Sequence, residues 1–93
     1  MKAIRIIVTG KVQGVFFRQH TKQTANKLSI KGFVQNRSDG SVYIEAEGED
    51  ENMEQFIQSC KRGSPPSKVE NISISEIIFI GFKNFIVRHG DNF

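Results

Sequence analysis

The chain has 93 residues, enough for one hydrophobic core and too few for two. Lysines and arginines exceed acidic residues by three, with both signs interspersed; this balance suits small anions and by itself falls short of a nucleic-acid footprint. The one cysteine, Cys60, excludes an internal disulfide and fits a reducing compartment, and no stretch nears the roughly 18 apolar residues of a membrane span.

No secretory pattern opens the chain and no low-complexity run divides it, so a single domain, residues 1–93, in the cytoplasm is expected. Twelve Ile and seven Val against one Leu favour a sheet-rich fold, because β-branched side chains are stiff and pack well on a pleat.

Ile4, Ile6, Val8 and Val12 alternate along a first strand expected over Ala3–Val12. The loop Gly10-Lys11-Val12-Gln13-Gly14-Val15-Phe16-Phe17-Arg18 then leads into a helix expected over Arg18–Ser29, with Phe17, Thr21, Thr24, Ala25 and Leu28 on its inner stripe. Such a strand-to-helix loop aims backbone N–H groups at one point, at the positive end of the helix dipole. Gln13, Gly14, Val15, Phe16, Phe17 and Arg18 can each contribute an N–H, and Gly14 lets the chain turn and approach a ligand closely. A cation at a helix start opposes the dipole, so an anion beside Arg18 would explain its place. The segment reads as an anion cradle suited to a phosphoryl group.

Lys31–Arg37 reads as a second strand, Ser38-Asp39-Gly40-Ser41 as a hairpin turn, and Val42–Gly48 as a third strand. In that third strand Val42, Ile44 and Ala46 face inward, and Tyr43, Glu45 and Glu47 face outward on a solvated side. Asn36 is a poor strand former close to the turn, and its carboxamide can donate and accept, as positioning a water against an anion requires. Glu49-Asp50-Glu51 suits the start of a second helix that buries Met53, Phe56, Ile57 and Cys60, and Gly63-Ser64-Pro65-Pro66 ends it. A fourth strand is expected over Val69–Ile78 and a short fifth over Phe85–Arg88. The order βαββαβ, with two helices on one face of a mainly antiparallel four- to five-stranded sheet, is the ferredoxin-like α+β plan.

The chain has neither a Gly-Lys-Ser/Thr phosphate loop nor a Gly-x-Gly-x-x-Gly pattern. No Ser-His-Asp arrangement, cysteine beside a base, or metal-ligand spacing is visible, so no metal or cofactor is expected. His20 should point away from the cradle, and His89 falls in a C-terminal tail expected to be mobile.

Gly10-x-Val12-Gln13-Gly14-Val15-x-Phe17-Arg18 resembles the first signature of the acylphosphatase family. Gly32-Phe33-Val34-Gln35-Asn36-x-x-x-Gly40-x-Val42 followed by Glu47-Gly48 resembles the second, and Ser64–Val69 and Phe85-x-Val87-Arg88 are similar to later family segments. The resemblance spans essentially the whole chain. It implies metal-independent hydrolysis of the carboxyl-phosphate bond of acyl phosphates to a carboxylate and inorganic phosphate, by a monomer without nucleic acid or membrane partners. It implies that Arg18 binds phosphate, that Gln13 to Arg18 form the backbone cradle, and that Asn36 orients the attacking water.

The sequence departs from the family in several places. Phe33 stands for a usual Trp, Ser29 for a usual Gly at the end of the first helix, and Arg37 for a small hydroxyl residue, adding positive charge near the site. The tail His89-Gly90-Asp91-Asn92-Phe93 runs past the usual end, which leaves open what holds Arg18 if relatives use a C-terminal carboxylate. Two alternatives stand beside this reading. One is an RNA-binding module, echoed faintly by Lys31-Gly32-Phe33-Val34, although the RRM motif belongs on the third strand and continues with Gly/Ala-Phe. The other is a domain of the same kind that binds a carbamoyl or acyl phosphate for a partner protein.

Overall fold

The computed structural model describes residues 1–89. Its elements are β1 (Lys2–Lys11), α1 (Phe17–Lys27), β2 (Lys31–Asn36), β3 (Val42–Gly48), α2 (Asp50–Arg62), β4 (Lys68–Glu76) and β5 (Phe85–Arg88). They form one five-stranded sheet in the order β4-β1-β3-β2-β5, antiparallel except for the parallel pair β2 and β5, with both helices packed on one face. This is the expected ferredoxin-like arrangement.

Register follows the alternation in sequence. Ile4, Ile6 and Val8 stand opposite Ala46, Ile44 and Val42, and all six are buried beneath the helices with Val34, Ala25, Met53, Phe56 and Cys60. A one-residue slip would turn this apolar set to the other face, so the alternation specifies the pairing. Phe56 of α2 meets Phe85 of β5 edge-on, with centroids 5.9 Å apart, and joins the two ends of the core.

Four boundaries differ from the sequence expectation. α1 starts one residue earlier, at Phe17, and ends at Lys27, because Leu28 caps it and Ser29 takes the left-handed conformation (φ 56°) usually left to glycine. β1 begins at Lys2 and ends at Lys11. β2 stops at Asn36, since Arg37 already belongs to the hairpin, bonded to Ser41 and Gly40. β4 stops at Glu76 rather than Ile78, and the chain crosses from there to β5 without regular structure.

That crossing changes the outer face of the sheet. The Glu45/Glu47 pair was expected to be solvated; Glu47 is instead only 2% exposed. Its carboxylate accepts the main-chain N–H groups of Ile80, Gly81 and Phe82, the last at 2.8 Å. Phe82 then lies edge-on to Phe33, which also touches Tyr43, each pair with centroids 5.9 Å apart. Burial and the neighbouring Glu45 carboxylate, 2.7 Å from its hydroxyl, raise the Tyr43 pKa. A buried carboxylate is stable here because three amide dipoles replace its water.

Candidate active site

The cradle is built by alternating anchors. Val12, Val15 and Phe17 are buried in the core, whereas Gly14 and Phe16 between them are exposed. At its entrance the β1–β4 register shifts after Thr9, and Gly10 takes φ 122° there; a Cβ at Gly10 would lie 2.2 Å from the Lys68 carbonyl oxygen. Gly14 turns the loop at φ 71°. Among the described residues no atom approaches the place of a Gly14 Cβ within 4 Å, so they require the turn there, not the lack of a side chain.

Two side chains fix the loop from opposite sides. Gln13 Nε2 donates to the carbonyl oxygens of Arg37 and Ser41, both at 2.8 Å, and so ties the loop to the mouth of the β2–β3 hairpin. The hairpin is closed by Asp39, whose carboxylate accepts the Ser41 hydroxyl and amide; these bonds hold its pKa below the usual carboxylate value. From the other side, buried Ser64 donates from Oγ to the Val15 carbonyl oxygen at 2.8 Å.

Phe16 is the N-cap of α1, in the left-handed region at φ 61°, and no side chain caps the helix. The first turn holds no acidic residue, and first-turn N–H groups have no acceptor within their own helix. Arg18 adds its charge at this positive end, and its Nη1 donates to the Arg88 main-chain oxygen at 3.0 Å. An anion is the chemical complement of such a terminus.

A cavity of about 230 Å³ opens at this point, bordered by Gly14, Phe16, Phe17, Arg18, Asn36 and His89, with Val12, Gln19 and Val87 completing its wall. Asn36 lies on the helix-side face of β2, two residues beyond buried Val34 and opposite Val42. Its Oδ1 is buried and has no hydrogen-bond partner among the described residues. A buried acceptor left this way is costly, which marks it as a group meant for something that enters the cavity.

Of the six expected cradle residues, Gly14, Phe16, Phe17 and Arg18 border the cavity. Gln13 and Val15 do not; their side chains serve as anchors. Arg37 does not supply charge to the site, because its guanidinium lies over the Tyr43 ring, 5.2 Å from the centroid, on the outer face. His20 borders a wider, open groove of about 740 Å³ between α1 and α2 that includes neither Arg18 nor Asn36. His89, expected in a mobile tail, borders the cavity: the parallel register ends at Gln35 opposite Arg88, and the next residue lies beside Asn36. The rest of the tail lies outside the described residues. The segment of Ser64 is marked by its family likeness, but its bond to Val15 is tertiary, and no local pattern announces His89. Among the described residues no three His, Cys, Asp or Glu gather as a metal site.

The acylphosphatase family model matches residues 4–87. An acylphosphatase of Ligilactobacillus salivarius is 48% identical over 90 residues, covering 96% of this chain and 100% of that protein. The crystal structure of acylphosphatase from Bacillus subtilis is similar with a TM-score of 0.92 and 42% identity, over 96% of this chain and 100% of that one. The structure of an acylphosphatase from Coxiella burnetii gives a TM-score of 0.90 and 36% identity, over 94% and 92% of the two chains.

Proposed function

The chain belongs to the acylphosphatase family, and from that premise we propose that it hydrolyses acyl phosphates through Arg18, the cradle amides and Asn36. The observation that carries the assignment is the meeting of Arg18 and buried Asn36 Oδ1 at one cavity, over an uncapped helix N-terminus.

The phosphoryl group of the substrate sits on the amides of the loop, with the Arg18 guanidinium against its oxygens. Arg88 fixes that guanidinium from behind, so little reorganisation is needed as charge spreads over the phosphoryl oxygens. Asn36 Oδ1 accepts a hydrogen from water and turns the water's lone pair toward phosphorus. In-line attack forms the new P–O bond as the bond to the carboxyl oxygen breaks. The carboxylate leaves with the bonding pair, and both protons of the water stay with the phosphate, giving a carboxylate and dihydrogen phosphate. The conjugate acid of the leaving group has a pKa near ~4, so the carboxylate departs without a strong general acid. Positioning and charge stabilisation then carry the rate.

In this reading the substrate is a small acyl phosphate, inorganic phosphate is a product, and the protein acts as a cytoplasmic monomer. Among the described residues no helix is long and apolar enough to cross a membrane. The test follows benzoyl phosphate hydrolysis by the purified protein in EDTA, beside Arg18→Ala. Turnover in the native protein that falls by about two to three orders of magnitude in a folded variant supports the assignment. Near-normal turnover in folded Arg18→Ala overturns it.

A further inference from the structure

The carbonyl oxygen that holds Arg18 belongs to the peptide joining Arg88 to His89, since Arg18 Nη1 donates to the Arg88 main-chain oxygen at 3.0 Å. The backbone of His89 therefore begins where the Arg18 guanidinium ends. Side chains alternate between the two faces of a strand. Arg88 turns its guanidinium to the outer face, over Phe33, whereas Val87 packs against the core beneath the helices. His89 follows Val87, and both border the cavity together with Arg18 and Asn36.

Of the residues around that cavity, Arg18 and His89 are the two that carry or can gain charge, and no acidic side chain among the described residues borders it. The charged groups on neighbouring elements face elsewhere. His20 lines the groove between α1 and α2, and Lys22 and Lys31 border a hollow beside Phe85 and Ile86, at the other end of β5. The guanidinium groups of Arg37 and Arg88 lie over Tyr43 and Phe33. Asp39 keeps its carboxylate on Ser41. An arginine stays charged throughout and an asparagine does not titrate. Histidine is the side chain that ordinarily changes charge around pH ~6.5. Among the described residues His89 is the only one at this wall.

We infer that His89 is a second anion-binding side chain of the site, and that its protonated imidazole tightens the hold on the phosphoryl group as pH falls. The inference rests on the proposed hydrolysis. A neutral imidazole offers a phosphoryl oxygen one N–H; an imidazolium adds a full charge to that bond. Arg18 and protonated His89 are like charges at one wall, so an anion bound to both also relieves their repulsion. The sign follows: anion affinity is greatest on the acid side and declines as pH rises through the histidine range. Anion and proton favour each other, so anion binding takes up a proton.

The test uses sulfate, a phosphate mimic that keeps both negative charges across this range, as a competitive inhibitor of benzoyl phosphate hydrolysis. It compares the native protein, His89→Gln and His89→Lys at about pH 5.5 and about pH 8, each checked for folding by circular dichroism. From the higher to the lower pH, sulfate inhibition of the native protein should tighten roughly three- to tenfold. It should change by less than about twofold in His89→Gln and stay tight at both values in His89→Lys, which keeps its charge. The ratio of native to His89→Gln kcat/KM should likewise rise toward acid, because titration of the substrate cancels in it. Equal tightening in His89→Gln, or none in the native protein, overturns the role of His89 and leaves the proposed function standing. Failure of the native protein to hydrolyse benzoyl phosphate at either pH overturns both.

Discussion

The main chain of Arg88 holds Arg18: the Nη1 of Arg18 donates to the Arg88 carbonyl oxygen at 3.0 Å across the end of β5. The Arg88 side chain goes the other way, its guanidinium 3.7 Å from the Phe33 ring centroid on the outer face of the sheet. One residue thus clamps a short edge strand with its side chain and positions, with its backbone, the arginine proposed to bind phosphate.

Arg88→Ala keeps the carbonyl and removes the clamp. A cation–π contact of this kind contributes about 0.5–2 kcal/mol, so kcat/KM should fall by roughly three- to thirtyfold. Kinetics on Arg88→Ala check this, and Arg88→Lys, which keeps a cation for the ring, should lose less. A loss in Arg88→Ala as large as that of Arg18→Ala would mean that the Arg88 side chain itself meets the substrate.

Gln13 spends both amide hydrogens on the carbonyl oxygens of Arg37 and Ser41. In Gln13→Ala the loop loses its tie to the hairpin that carries Asn36. Stability should fall by about 1–2 kcal/mol in urea unfolding, and KM should rise several-fold. Gln13→Glu should be no better, since a carboxylate cannot donate to two carbonyls.

Glu47→Gln tests the amide nest on the far face. The carboxylate accepts from three main-chain N–H groups; a carboxamide brings its own N–H₂ against at least one of them. The expected cost is roughly 1.5–3 kcal/mol, a drop in Tm on the order of 10 °C for a domain of this size. The cavity lies at the other end of β3, so turnover below the transition should change far less than stability. An unchanged Tm would contradict the nest.

Burial pushes the Cys60 thiol from its ordinary value of 9.0 up to about 12. The folded thiol should resist alkylation at pH 8, and the urea-unfolded thiol should react readily. The raised value has a definite sign for stability: the contribution is fully present below the unfolded pKa and is lost as pH rises toward about 12. Unfolding experiments across that window should show a downward slope that is shallower in Cys60→Ala.

The sheet and the helices were legible because Ile4, Ile6 and Val8 alternate and because Met53, Phe56 and Cys60 recur at helical spacing. Both encode burial locally. Arg18 and Asn36 were legible through motifs, and the cavity brings them together. Glu47 shows where local pattern stops: alternation placed it correctly on the outer face, but the burial of that face depends on Ile80–Phe82 folding back over it. His89 reaches the cavity only through the parallel β2–β5 register, which no short-range signal sets. The left-handed Phe16 runs against its own propensity, and the buried anchors Val15 and Phe17 on either side hold it there.

The most direct measurement compares Asn36→Ala with the native protein in two readouts, kcat for benzoyl phosphate and competitive inhibition by inorganic phosphate. Asn36 is assigned to the water and Arg18 to the phosphoryl group. In Asn36→Ala kcat should fall by about two to three orders of magnitude, and the inhibition constant should stay within roughly threefold. Loss of phosphate inhibition in step with kcat would place Asn36 on the phosphoryl group, and a native kcat would remove it from the reaction altogether.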